Sequence, residues 1–189
     1  MTRRLLLYLR SRRVPAAFAT AVVAAAGLWW VGELTDHAEV GRLLAVVAGT
    51  VAAGPGLAGP DVELDRTAAI GWPPRRAAHL VAIAVVCVVA AATPAGAPAV
   101  IARDAAGMVG LLGLGAVLLG ASRSWLPPLI WTLVALTALP RIWPVAPDGA
   151  FQVLTWMLQP VESAAAGWTA AVLAIAGLLS YAAAGPRSG

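Results

Sequence analysis

Side chains able to do chemistry are few in this sequence, and they fall in four places. Glu33, Asp36, His37 and Glu39 stand close together and carry the donor types that hold a divalent cation. Their order lacks metal-ligand spacing, so the stretch reads as a solvated loop. Cys87 is the only cysteine, which excludes disulfide frameworks and thiol–metal clusters; alone in an apolar run, it reads as a buried structural thiol. Arg103 and Asp104 are adjacent at the outer start of an apolar window, where an ion pair or a snorkelling arginine costs little. The fourth place is residues 61–79, DVELDRTAAIGWPPRRAAH, which gather six charged side chains into one short stretch. Its last residue, His79, reads as a polar anchor near an interface rather than a ligand.

Reaction chemistry finds no other foothold. The chain has no GxSxG elbow, no HExxH, no GxxxxGK[ST] phosphate loop and no paired carboxylates within an apolar window. It therefore reads as no enzyme, with no cofactor or metal of its own. No acidic residue stands deep in an apolar window, which argues against a proton-coupled carrier.

The elements that must position these groups are set by composition. Of 189 residues, 60% are hydrophobic and only 12% charged, and the mean hydropathy is +0.83. Charge-free windows run over 14–32, 43–60, 77–102, 105–122, 124–140 and 163–186. A membrane-spanning helix needs about 20 mostly apolar residues. A soluble bundle would need a polar face on each helix, and these windows have none. The expected fold is all-α and polytopic, a single domain over 1–189, with six transmembrane helices at about 14–32, 43–59, 77–93, 105–121, 125–140 and 165–184.

A pI near 10.6 would suit nucleic acid, but the arginines form no phosphate-binding patch. Arg3, Arg4, Arg10, Arg12, Arg13, Arg66, Arg75, Arg76, Arg123 and Arg187 share one side if the N-terminus is cytoplasmic; only Arg42, Arg103 and Arg141 fall opposite, near acidic residues. This positive-inside asymmetry predicts a multi-pass protein of the cell membrane, surrounded by lipid, with both termini cytoplasmic. The N-terminal apolar run is longer than a signal-peptide core, and residues 3–10 place arginines and leucines on opposite helical faces, as an interfacial helix would.

Within the windows, Gly49 and Ala53 form a small-xxx-small pair suited to close approach of another helix, and they are the expected dimer-packing face. Gly54, Pro55 and Gly56 should loosen the end of the second span. The fourth span carries Gly107, Gly110, Gly113, Ala116 and Gly120, which read as packing residues. Residues 149–160, GAFQVLTWMLQP, are too short to cross and suit a re-entrant or interfacial segment. Trp156 and Trp168 are expected at headgroup depth as aromatic anchors. Gln159 and Pro160 mark a break, with Glu162 just beyond it.

The charged stretch itself reads as a short helix. Asp61 can cap it, Glu63 suits its first turn, and Arg66 lies three residues after Glu63 on the same face. About ten residues, roughly 15 Å, precede Gly71, Pro73 and Pro74, which should end it.

This order of elements is a basic N-terminus, six spans, a capped charged helix between the second and third, and a partial insertion between the fifth and sixth. It resembles the membrane subunit of two-component ATP-binding-cassette exporters, particularly the compact permeases of actinobacteria. DVELDRTAA followed by PPRRAAH resembles that family's coupling-helix loop, and GLLSYAAAGPR, residues 177–187, resembles the close of its last span. The resemblance implies that Glu63, Leu64, Arg66 and Thr67 dock on separate P-loop ATPase subunits, which hold the ATP and magnesium. It also implies a second copy of the chain, or a similar permease subunit, to complete the pathway. The alternative open at this point is a non-transporting membrane scaffold or assembly factor that binds a cytosolic partner through the same loop.

Overall fold

The computed structural model describes residues 38–57, 72–92, 98–137 and 149–187, and every regular element among them is helical. They form α1 (Ala38–Ala53), α2 (Trp72–Ala91), α3 (Pro98–Leu119), α4 (Leu126–Thr137), α5 (Gly149–Leu154) and α6 (Ala164–Ala184). Short 3-10 turns follow α1, α3 and α5. Several expectations lie outside the described residues: the interfacial pattern of 3–10, the first span at 14–32, the acidic side chains of Glu33 to Glu39, and the charged helix at 61–70.

Each helix buries one stripe at helical spacing. In α1 the stripe is Leu43, Val46, Val47 and Thr50; in α2 it is Leu80, Ile83, Cys87 and Ala91. In α6 it is Ala166, Ala170, Gly177 and Tyr181. The opposite faces of α2 and α6 are apolar yet exposed, including Val81, Val85, Val89, Val172, Ile175 and Leu179. Broad apolar faces of this kind suit lipid rather than water. α3 is the central helix, buried on nearly all sides and paired most extensively with α6, which runs parallel to it.

Two helices open on paired prolines, Pro73–Pro74 in α2 and Pro127–Pro128 in α4. Proline suits the first turn, where no intrahelical donor is needed. Pro73 and Pro74 thus begin a helix, and α2 starts five residues before the expected 77. The expected loosening after α1 is present as a 3-10 turn at Gly54–Leu57. α6 begins with Ser163, whose Oγ accepts from the Ala166 N–H at 3.3 Å, and ends at Gly185 with φ +71°.

Four described helices are long and apolar enough to cross a membrane: Val40–Leu57, Trp72–Ala91, Pro98–Leu119 and Ala164–Ala184. Six were expected. The fifth expected span, 125–140, is described only as Leu126–Thr137, about 18 Å at 1.5 Å per residue.

Candidate functional site

The bundle has two chemically distinct ends. At one end, α3 has begun five residues before Arg103, so the Arg103–Asp104 pair stands in its second turn, not at its start. Asp104 is buried, 5% exposed. Its Oδ1 accepts from Arg103 Nε at 2.9 Å. The rest of the guanidinium fork donates to two consecutive carbonyls, Nη1 to Pro160 at 3.0 Å and Nη2 to Gln159 at 2.9 Å. One arginine therefore neutralises a buried carboxylate and pins the end of the 149–160 segment to α3. A planar fork with five donors permits this; an ammonium would not.

The pinned segment is internally braced. Thr155 Oγ1 donates to the Phe151 carbonyl at 2.7 Å and accepts from Gln159 Nε2 at 2.8 Å. Trp131 Nε1 of α4 donates to the Leu154 carbonyl at 2.9 Å. Trp156 corrects an expectation: it is fully buried, against Gly107 of α3, where an added Cβ would lie 2.5 Å from the indole. It plugs the bundle instead of facing headgroups, and its Nε1 has no hydrogen-bond partner. Trp168, 73% exposed on α6, keeps the outward position expected of an anchor. Pro160 and Glu162 are exposed at this end.

The other end gathers Arg75, Arg76, Arg123 and Arg187. Arg76 lies against Gly185, its Cζ 2.5 Å from where a Cβ would stand, and Arg187 N–H donates to the Ala116 carbonyl at 2.9 Å. A guanidinium over the last turn of α6 meets the negative end of its dipole. Gly185 both adopts a backbone conformation that favours glycine and leaves room for that side chain. The Tyr181 hydroxyl donates to the Leu57 carbonyl at 3.2 Å, so the turn after α1 ends here, and Arg75 stacks 5.9 Å from the Trp72 ring at the start of α2. In sequence, the 58–71 connection joins these two described ends.

Glu63, Leu64, Arg66 and Thr67 lie within that connection, outside the described residues. Gly49 and Ala53 are described, and Gly49 faces inward: a Cβ there would meet Cys87 Sγ of the same chain at 3.2 Å. Its small size thus serves packing of α1 on α2. The closest helix approach is elsewhere, where Gly110 and Gly113 of α3 meet Gly177 of α6 backbone to backbone. Gly177 had no signal beyond its place on a row of small residues with Ala166 and Ala170. Among the described residues, no group of three His, Cys, Asp or Glu could hold a metal.

Together these features define an all-helical bundle of a kind compatible with a polytopic membrane protein, asymmetric in charge and closed at one end by a braced hairpin. Comparison with protein families, with curated proteins and with solved structures finds no match to the chain.

Proposed function

We propose that this chain is the membrane subunit of a two-component ATP-binding-cassette transporter of the exporting kind. In this reading it forms half of a pathway with a second copy or a similar subunit, while ATP is hydrolysed on separate chains. The observation that supports it best is the geometry around the charged stretch. The described residues on either side of the connection carrying Glu63, Leu64, Arg66 and Thr67, Leu57 and Arg76, both stand at the arginine-rich end, beside the end of α6. That is the end the positive-inside rule assigns to the cytosol, where an ATPase would be reached. The braced hairpin at the opposite end agrees with the partial insertion that the family resemblance implies.

A second reading has its own support. The described core is apolar, built on Leu43, Val46, Leu80, Met108 and Leu112, and α3 and α6 close on one another within the chain. A scaffold that binds a cytosolic partner without transporting would need nothing more.

Separate reversals Glu63→Arg and Arg66→Glu, with affinity purification of the full chain from membranes, distinguish the readings. Loss of the helical charge pair costs only a few tenths of a kcal/mol, so membrane levels should hold. A mismatched charge at a docked surface costs roughly 2–5 kcal/mol, enough to weaken a complex by tenfold or far more. The transporter reading expects a stoichiometric P-loop ATPase with the wild type, lost in both variants. Recovery of a partner that is no ATPase favours the scaffold, and full ATPase recovery with both reversals removes the docking role of the segment.

A further inference from the structure

The geometry points to a binding site for an anionic phospholipid in the groove between α2, α3 and α6, its acyl chain in the groove and its headgroup at Arg76 and Arg75. This rests on the membrane reading alone and not on transport. The groove is an open-sided pocket of about 130 Å³ lined by apolar side chains, including Leu80 and Ala84 of α2, Val109 of α3, and Ala174 and Leu178 of α6, with Gly110 of α3 at its floor.

Its position decides the occupant. Arg76, Leu80 and Ala84 follow one another at intervals of four residues, so they lie on a single row of α2. The distance from Arg76 to Ala84 along the helix is about 12 Å. One leaflet of the hydrocarbon core is about 15 Å deep, half of the full 30 Å. A chain lying along this row from the arginine end would therefore reach close to the middle of the membrane.

Charge selects the headgroup. The described residues at this end carry Arg75, Arg76, Arg123 and Arg187 and no acid, because Asp104 and Glu162 stand at the other end. Counting also the sequence between Leu57 and Trp72, with Asp61, Glu63, Asp65 and Arg66, the balance stays positive. Arg75 is exposed, and Arg76 is half-buried at the head of the groove row; a guanidinium offers a phosphate more donors than one helix terminus uses. Basic pockets between transmembrane helices suit anionic headgroups.

The test uses the full chain in mild detergent and native mass spectrometry, with phosphatidylglycerol and phosphatidylcholine of identical acyl chains. The wild type should bind phosphatidylglycerol about 25-fold more tightly, about fivefold for each of the two arginines. Arg75→Gln and Arg76→Gln should each remove about fivefold of that preference, whereas Arg123→Gln should leave it unchanged. Ala84→Phe, which fills the groove, should weaken both lipids. Excess glycerol phosphate should fail to displace the lipid from the wild type. Equal binding of the two lipids by the wild type overturns the proposal, as does displacement by glycerol phosphate. Both of these readouts stand even if a variant fails to fold. Ala84→Phe that keeps lipid binding but splits a dimer assigns the groove to a second copy and overturns the proposal as well.

Discussion

Arg103 and Trp156 hold the hairpin by different physics, and substitution separates them. Arg103 is bonded on three sides, with both it and Asp104 largely shielded. Arg103→Gln leaves a buried carboxylate uncompensated, which costs roughly 3–5 kcal/mol, and it also frees the Gln159 and Pro160 carbonyls. Asp104→Asn leaves the arginine both carbonyl partners, so it should cost clearly less. Thermal unfolding of the purified chain should rank wild type first, Asp104→Asn next and Arg103→Gln last; equal losses would mean that the clamp on the carbonyls contributes nothing. Trp156 acts by volume, since its Nε1 bonds to nothing. Trp156→Ala should cost about 3–5 kcal/mol, while Trp168→Ala, on an exposed site, should change stability by about 0.5 kcal/mol or less. The sequence showed two tryptophans near an interface but not which one turned inward. That choice depends on Gly107, distant in the chain, leaving a space of the right shape. The role of Arg103 was equally hidden, because the carbonyls it holds have no side-chain signature.

At the scale of the helix, the glycines of α3 and α6 differ in sign. A Cβ on Gly110 would fall on the Leu173 carbonyl, and one on Gly177 on the Gly110 carbonyl. Gly110→Ala or Gly177→Ala must part the helices, and overpacking of this kind costs about 1–3 kcal/mol or more. Gly167 begins the same α6 with nothing within 4 Å of its would-be Cβ, so Gly167→Ala should stabilise by about 0.5–1 kcal/mol through helix propensity alone. Melting temperatures of the three variants check this, and a loss at Gly167 would show that propensity is not the governing term there. Helix type and span-like length were legible because charge-free runs of 17 or more residues leave few alternatives. Which small residues oppose each other was not legible. Periodicity gives the face of each helix, but the pairing of faces is set by tertiary packing, and so Gly49 was assigned to another chain when it packs on Cys87. Helix starts were also misplaced, because Pro73 and Pro74 are equally suited to follow one helix and to open the next.

For the molecule as a whole, charge asymmetry makes a topological prediction. α1 runs from the Asp104 end to the Tyr181 end, α2 returns, α3 descends again, and α6 ends beside Arg76. Leu57, the start of α2 and the end of α6 therefore stand at the same end of the bundle, and four of the described arginines mark that end. An inverted orientation would place all four outside and Asp104 with Glu162 inside, against the positive-inside rule. Reporter fusions after Pro60 and at Gly189 should both give a cytoplasmic signal. A fusion at Asp148, just before α5, should give an external one. That third position is the discriminating one, because the described part of α4 covers only about 18 Å, and its Trp131 is bonded to the hairpin carbonyl of Leu154. If α4 and the residues after it do cross, the hairpin dips back in from the far side and Arg103 fastens it there. A cytoplasmic signal at Asp148 would mean that α4 turns back within the membrane; the hairpin would then approach from the cytosolic side, and the charge asymmetry would not describe this fold.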